Sequence, residues 1–185
     1  LKVDKSVLWL ADSNKTTKSN LQQEAKKLGV DPSRIIFAPR LLLKEDHLSR
    51  LRLADLFLDT LPFNAHVTAS DALRAGLPVL TFMGKSFASR VAASLLHAVN
   101  MPELIVTSQE QYDLLAIELG RQPKKLKAIK KKLIYNLPSS ALYNTALYAS
   151  QLENAFIEIY NNHKKGLEPE HVYVKKNKLF STAVI

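Results

Sequence analysis

The residues best suited to chemistry lie between two short apolar segments, 56–58 and 79–81, which are both typical of buried strands. His66, Thr68 and Asp71 occupy the polar turn after the first strand or the start of the short helix that follows it. In an open parallel sheet, ligands bind beyond the carboxyl ends of the strands. The first turn of a helix adds free N–H groups and a positive dipole end, which suit a phosphate. The pattern therefore predicts an anion-binding site at this turn.

The same residue types also have structural interpretations. Thr68 and Asp71 are separated by three residues, as an N-cap residue and its N3 partner are. Asp59 follows the first strand, where it could line the site or hold the turn, and His66 could fill a hydrogen bond of that turn. Three cationic residues recur every three positions and so share one side of a predicted helix: Lys44, His47 and Arg50. Spacing alone favours a solvated helix face for these three.

Strand-like and helix-like segments alternate along the chain. We predict strands at 7–11, 35–37, 56–58, 79–81 and 104–106, and helices at 17–28, 43–53, 86–99, 109–119, 123–135 and 141–163. Phe87, Val91 and Leu95 recur every four residues and predict the apolar face of one helix, and Trp9 is expected in the core. The alternation indicates right-handed βαβ units in one parallel α/β domain. We assign the domain, a helical extension and a tail to 1–135, 136–166 and 167–185.

Length and composition bound the class of protein. The chain has 185 residues, of which 46% are apolar, enough for one domain with a core. No apolar run approaches the roughly 20 residues that span a bilayer, and Asp4 and Lys5 interrupt any signal-peptide pattern. The chain has no cysteine, which excludes disulfides and thiolate metal sites and fits a reducing compartment. We therefore expect a cytoplasmic protein with no membrane partner.

The formal net charge of +9 allows a nucleic acid, an anionic membrane or an anionic small molecule as partner. Much of the excess lies on one predicted helix, as Lys124, Lys125, Lys127, Lys130, Lys131 and Lys132. Aromatic residues are not interleaved with these lysines, as a base-stacking surface requires. A solvated helix face is therefore favoured, and we expect no nucleic-acid partner.

Several motifs occur in order along the chain: RIIFAP at 34–39, ADLFLDT at 54–60, NAHVTASD at 64–71, AGLPVLT at 75–81 and ASRVAAS at 88–94. On these motifs the sequence resembles the C-terminal part of the catalytic region of O-linked N-acetylglucosamine transferases. These are inverting glycosyltransferases with tetratricopeptide repeats, and the bacterial members are the most similar. The resemblance runs from about 6 to 133, and more loosely to 166. It implies a Rossmann-like parallel sheet with flanking helices, the C-terminal half of a GT-B glycosyltransferase, followed by C-terminal helices.

The resemblance also implies a ligand and residue roles. The donor would be UDP-N-acetylglucosamine, with His66 and Thr68 near its diphosphate and Asp71 accepting a hydrogen bond from the ribose. Val67 replaces the first of two threonines usual in the family, and its backbone N–H could still serve the diphosphate. The ribose and uracil would be served by Lys44, His47 and Arg50. We expect neither a metal nor another cofactor, because these cations and the helix terminus would offset the diphosphate charge.

By the same resemblance, several parts of a complete transferase lie outside this sequence. They are a first strand–helix unit with a phosphate-contacting lysine, the N-terminal catalytic half, and the repeats that recruit an acceptor protein. We therefore expect an inactive fragment in which only His66 takes a catalytic role, the stabilisation of the leaving group. Two alternatives stay open: the nucleotide half of another GT-B enzyme with a sugar or lipid acceptor, and a degenerate, non-catalytic module that binds a partner through its basic helices.

Overall fold

Five parallel strands and seven helices make up the described part of the chain, residues 2–174 of a computed structural model. In chain order they are β1 (Leu8–Ala11), α1 (Lys15–Lys27), β2 (Ile35–Ala38), α2 (Lys44–Leu51), β3 (Phe57–Leu58), α3 (Val67–Arg74), β4 (Val79–Phe82), α4 (Val91–Ala98), β5 (Ile105–Val106), α5 (Gln109–Arg121), α6 (Pro123–Asn136) and α7 (Thr145–Lys164). Short 3₁₀ turns lie at Pro32–Arg34, Phe87–Ser89, Pro102–Leu104, Leu137–Ser139 and Ala141–Tyr143.

The strands form two parallel sheets. In the first, β1 pairs with β2, from Leu8 opposite Ile35 to Ala11 opposite Ala38. In the second, β4 lies in the middle and pairs with β3 on one side and with β5 on the other. Parallel strands in one sheet place their carboxyl ends at the same edge. The loops that follow β3 and β4 therefore meet at one edge of the second sheet.

Local sequence signals set several helix ends. Helices α1 and α5 begin after Asn14 and Ser108, whose side chains each accept a hydrogen bond from an N–H three residues later. Helices α1 and α3 end near Gly29 and Gly76, which have φ angles of +74° and +81°. Glycine adopts this left-handed conformation at little cost, so the chain can turn sharply after each helix.

The core lies against the second sheet. Side chains that are almost fully buried come from α3, β4, α4, α5 and α6, and include Leu73, Val79, Leu80, Leu96, Leu119 and Leu133. Each such burial contributes about 1.5–3 kcal/mol to folding. Helices α1 and α2, which flank the first sheet, have no buried residue. The packing energy is therefore concentrated around β3, β4 and β5.

The described residues fall into two compact units, divided between Pro138 and Ser139. The first contains both sheets and helices α1 to α6, and the second contains α7. Within residues 2–174, no helix combines the length and the apolar character needed to cross a bilayer. Residues 167–174 of the predicted tail have no helix or strand, and the rest of that tail lies outside the described residues.

The structure confirms the predicted α/β class, with parallel strands and flanking helices. The helix predicted at 86–99 differs, because a 3₁₀ turn occupies its first part and α4 begins only at Val91. Gly84 N–H donates to Ser89 O at 2.9 Å, which closes a loop where the helix was expected. Phe87 is therefore 82% exposed instead of lying on the apolar face, and α4 buries Ala92, Ala93 and Leu96.

Two further expectations were wrong. Thr68 is not the N-cap of α3, since that position belongs to His66, whose side chain makes no capping hydrogen bond. The helix starts earlier than expected because Ser70 N–H already donates to His66 O, at 3.0 Å. Trp9 lies outside the core and is only partly buried; Arg50 stands over its ring, 5.6 Å from the centroid. The prediction failed because the first sheet has little packed against it.

Candidate functional site

The loop between β3 and α3 is closed by one buried side chain. Asp59 follows β3 and is only 6% exposed. Its Oδ1 accepts hydrogen bonds from Thr60 N–H at 2.8 Å and from Ala65 N–H at 2.6 Å. Its Oδ2 accepts from the hydroxyl of Thr81 on β4, at 2.6 Å. The carboxylate therefore ties both ends of the loop to the second sheet.

A tyrosine on α5 adds a fourth hydrogen bond to this residue. The hydroxyl of Tyr112 donates to the backbone oxygen of Asp59 at 2.8 Å. Burial raises the pKa of Tyr112 above its usual value, and the nearby carboxylates of Asp59 and Asp113 raise it further. The hydroxyl consequently stays protonated and remains a donor to the loop.

Asn64 links this loop to the loop that follows β4. It is fully buried, its N–H donates to Ala88 O at 2.9 Å, and its Nδ2 donates to Thr60 O at 2.9 Å. The hydroxyl of Thr60 in turn donates to Phe63 O at 2.9 Å. Among residues 2–174, the Oδ1 of Asn64 has no hydrogen-bond partner. The two loops thus form one hydrogen-bonded unit at the edge of the sheet.

The ring of His66 is held on three sides. It stacks on Phe63 at a centroid distance of 4.6 Å and meets Phe87 edge-on at 6.2 Å. Its Nε2 lies 3.3 Å from Ala88 O. A carbonyl oxygen only accepts hydrogen bonds, so this contact requires the proton on Nε2. The ring is therefore oriented, directly before the first residue of α3, by the loop and two aromatic neighbours.

The first turn of α3 presents donors to solvent. The first hydrogen bond from a helical N–H runs from Ser70 to His66, so the N–H groups of Val67, Thr68 and Ala69 have no acceptor within the helix. Val67 and Thr68 are exposed. Free N–H groups and the helix dipole together make such an exposed turn suitable for an anion.

Helix α2 packs against α3 and brings cations to this region. Lys44 Nζ lies 3.4 Å from a carboxylate oxygen of Asp71, whose side chain is mostly buried. Arg50 donates to Pro39 O and stands over the ring of Trp9. The sequence did not indicate this pairing of Lys44 with Asp71, because the two residues belong to different helices.

A cavity of about 450 Å³ lies at the carboxyl ends of β1 and β2. It is lined by Ala11 and Ala38 at the ends of the two strands, by Asp12, by the loop at 40–43, and by three residues of α2: Lys44, His47 and Arg50. The cavity has the place and charge expected of a site for an anionic or polar small molecule. Among the described residues, no group of three or more histidine and acidic side chains is placed to hold a metal ion.

The structure thus places the sequence-predicted residues in two adjoining groups. His66, Val67, Thr68 and Asp71 lie at the start of α3, and Lys44, His47 and Arg50 line the cavity, with Lys44 reaching Asp71. The roles given to these seven residues remain predictions. Sequence reasoning missed Thr81, Tyr112 and Asn64, whose partners lie on other elements of the fold. The only signal for Asp59 was its place directly after a buried strand.

The chain is similar to known UDP-N-acetylglucosamine–peptide N-acetylglucosaminyltransferases. It is 33% identical to the enzyme of Caenorhabditis elegans over 170 residues, which are 92% of this chain and 15% of that protein. It is 34% identical to a probable enzyme of Arabidopsis thaliana over 179 residues, which are 96% of this chain and 18% of that protein. The chain therefore spans less than a fifth of the length of these relatives.

The fold matches a solved transferase as well. The structure of a mutant O-GlcNAc transferase from Thermobaculum terrenum superposes with a TM-score of 0.78 at 28% sequence identity, over 86% of this chain and 31% of that one. This match confirms the predicted Rossmann-like fold.

The family profile described as glycosyl transferase family 41 matches residues 1–152, which is most of the chain. The resemblance inferred from the ordered motifs is thereby confirmed, as is the prediction that the chain derives from a glycosyltransferase. The chain belongs to glycosyl transferase family 41.

Proposed function

We propose that this chain forms the UDP-sugar-binding part of a protein O-GlcNAc transferase, which transfers N-acetylglucosamine from UDP-N-acetylglucosamine to a serine or threonine hydroxyl. The observation that carries the proposal is the ion pair between Lys44 and Asp71, which joins α3 and its exposed first turn to a cavity lined by four basic side chains. Two relatives with this named activity match nearly all of the chain.

In this proposal the diphosphate lies against the first turn of α3. The N–H groups of Val67 and Thr68 face it, together with Nδ1 of His66. Because Nε2–H already donates to Ala88 O, the ring donates to the diphosphate from Nδ1, as the imidazolium. As the glycosidic bond breaks, negative charge grows on the β-phosphate, which leaves as part of UDP. Donors that are already in place stabilise this charge more in the transition state than in the ground state. The aromatic neighbours and the hydrogen-bonded loop support this role by holding His66 in one orientation.

The nucleoside lies towards the cavity. Asp71 accepts a hydrogen bond from a ribose hydroxyl, and the ribose and uracil are served by Lys44, His47 and Arg50. The ion pair between Lys44 and Asp71 supports this arrangement, because it holds an acceptor and a donor at the junction of α3 and the cavity. Lys44 Nζ is exposed enough to turn from the carboxylate to the ribose when the nucleotide binds.

We propose that binding and transfer need no metal and no further cofactor. The support is the local positive charge: the cavity is lined by four basic side chains against one carboxylate, Asp12, and together with a helix N-terminus they can offset a diphosphate without a metal ion. The test is UDP binding in the presence and absence of EDTA and of added Mg²⁺. Equal dissociation constants agree with the proposal, and loss of binding in EDTA contradicts it.

We further propose that the chain works as part of a longer protein. The acceptor protein, the N-terminal catalytic half and tetratricopeptide repeats would be contacted or supplied through other segments, in the cytoplasm. Support comes from the strand order. In a doubly wound sheet of order 3-2-1-4-5-6, the pair β2-β1 and the set β3-β4-β5 fill every position except that of the first strand. A strand from elsewhere in the longer protein would join the two sheets, and the isolated chain should not transfer sugar.

Calorimetry of the chain with UDP, UDP-N-acetylglucosamine and UDP-glucose tests the proposed function. We expect binding of UDP and a preference for the N-acetylated sugar. Arg50→Ala should weaken UDP binding at least about tenfold, since a hydrogen bond to a charged group contributes about 1.5–3 kcal/mol. Arg52→Ala is the matched control, because Arg52 ends the same helix but does not line the cavity.

Three outcomes would contradict the proposal in different ways. Equal or tighter binding of UDP-glucose would favour a GT-B transferase with another donor and another acceptor. No binding of any nucleotide at millimolar concentration would favour a non-catalytic interaction module. Equal losses in Arg50→Ala and Arg52→Ala would place the nucleotide outside the cavity.

A further inference from the structure

The loop that carries His66 depends on a carboxylate that does not reach the site itself. Asp59 is almost fully buried, and both of its carboxylate oxygens already accept hydrogen bonds from the protein. We infer that Asp59 is a positioning residue of the donor site, which fixes His66 and the first turn of α3 through the loop at 60–65. The inference rests on the proposed function, because it concerns the same site.

One carboxylate oxygen of Asp59 closes the loop at 60–65. Asp59 Oδ1 receives the N–H groups of Thr60 and Ala65, so one oxygen atom holds both ends of the loop. Ala65 directly precedes His66, the N-cap residue of α3. Removal of the carboxylate leaves these partly buried N–H groups without their acceptor, which is costly. The segment would relieve that cost by moving, and His66 would move with it.

Other atoms of Asp59 attach this loop to β4 and α5. Oδ2 accepts from Thr81, a fully buried residue of β4, and the backbone oxygen accepts from Tyr112 on α5. Asp59 N–H donates to Leu80 O at 3.0 Å, as part of the pairing of β3 with β4. These hydrogen bonds anchor the loop to β4 and α5, in the most deeply packed part of the first unit. Such rigidity is what preorganised transition-state stabilisation requires.

The negative charge of Asp59 is kept away from the ligand. A bare carboxylate close to a diphosphate would repel it. Three donors to the carboxylate spread this negative charge, and its burial keeps it out of contact with a ligand in solution. Asp59 therefore acts through the loop and not on the ligand.

The experiment compares Asp59→Ala and Asp59→Asn in the same chain, with UDP as the probe in calorimetry and with thermal unfolding in parallel. Asp59→Ala should weaken UDP binding by the folded protein at least about tenfold, because small displacements of binding groups have large effects. Asp59→Asn should stay within about threefold of the wild type, since the amide oxygen still accepts both loop N–H groups. The amide NH₂ can donate to Thr81 in place of the original bond.

Leu133→Ala is the matched control for stability. Leu133 is fully buried on α6 and has no part in the site, so this variant should lose stability and keep its UDP affinity. If Asp59→Ala does not fold, Thr81→Val replaces it as the test. That variant keeps the side-chain shape and removes only the donor to Oδ2, and it should weaken UDP binding about threefold or more.

The outcomes separate the two ideas. Absence of UDP binding by the wild-type chain overturns the proposed function and this inference together. Normal UDP binding by the wild type and by folded Asp59→Ala, or by Thr81→Val, overturns the inference alone. A loss of affinity in Leu133→Ala as large as in Asp59→Ala would reduce Asp59 to a purely structural role and would also overturn it.

Discussion

The two sheets of the first unit differ sharply in how well they are packed. The sheet of β3, β4 and β5 is covered by fully buried residues of α3, α4 and α5. The sheet of β1 and β2 is flanked by helices without a buried residue, and Leu42, in the loop that lines the cavity, is 97% exposed. In the proposed site, the diphosphate end therefore stands on a rigid core, and the nucleoside end stands on a lightly packed helix.

This difference in packing matters because the diphosphate and the nucleoside require different degrees of rigidity from their binding sites. Stabilisation of a leaving group requires donors that do not move as charge develops. Recognition of a nucleoside needs only binding, which tolerates groups that settle when the ligand arrives. We therefore expect substitutions near α3 to lower kcat or the stability of the fold. Substitutions on α2 should mainly lower the affinity for the donor.

The largest expected effect tests the packing difference itself. Leu73→Ala removes a fully buried side chain of α3 and should lower the free energy of unfolding by about 2.7–5 kcal/mol. Leu21→Ala removes a leucine of α1 that is 38% exposed and therefore only partly buried, and its effect should be smaller, about 1–2 kcal/mol. Urea unfolding followed by circular dichroism measures both. Similar losses in the two variants would show that the first sheet is as tightly packed as the second.

The second prediction separates rate from affinity in a transferase that contains this chain and the missing catalytic half. His66→Ala should lower kcat by about 10²–10³-fold, or about 2.7–4 kcal/mol, as the loss of one preorganised donor does. Arg50→Ala should mainly raise KM for the donor and leave kcat nearly unchanged. Steady-state kinetics with varied UDP-N-acetylglucosamine gives both values. A change in KM alone for His66→Ala would make this residue a ground-state binder.

The third prediction uses pH to probe the hydrogen bond from Tyr112 to the loop. The Tyr112→Phe variant lacks this bond and should be less stable than the wild type by about 0.5–1.5 kcal/mol at pH 8. The pKa of Tyr112 is raised in the folded state, so the folded protein holds its proton longer than the unfolded chain. The wild-type advantage should therefore be complete below pH 10 and shrink as the pH rises above it. A gap that is constant from pH 8 to pH 11 would contradict the burial of this hydroxyl.

Sequence patterns pointed to the candidate anion-binding turn because its residues are close together in the chain. The alternation of apolar segments predicted the strands. The short stretch from the end of β3 into α3 predicted that His66 and Asp71 lie on the turn or just inside the helix that follows it. What failed depended on distant contacts. Asp59 and Thr81 are 22 residues apart, and Asp59 and Tyr112 are 53 residues apart, so no local pattern could reveal their hydrogen bonds.

The predictions for the start of α3 and for residues 87–89 were wrong for a related reason. Helix propensity allowed a helix over the whole segment 86–99, but the hydrogen bond from Gly84 to Ser89 and the bond from Asn64 N–H to Ala88 O hold that segment in another conformation. Tertiary contacts overrode a weak local preference. Ala88 O also contacts the ring of His66. The contacts that orient this candidate site residue are therefore among those that the sequence could not predict.

The smallest expected effect concerns the link between the two regions. Lys44 on α2 pairs with Asp71 on α3, but the lysine side chain is 58% exposed. Such pairs contribute about 0–1 kcal/mol, so Lys44→Ala should lower the free energy of unfolding by less than about 1 kcal/mol. Lys124→Ala removes the same charge from an exposed position of α6 and is the control. A much larger loss in Lys44→Ala alone, measured by urea unfolding, would mean that α2 is fixed to the core. The contrast between a rigid and an adjustable end of the site would then fail, because both ends would rest on the same packed structure.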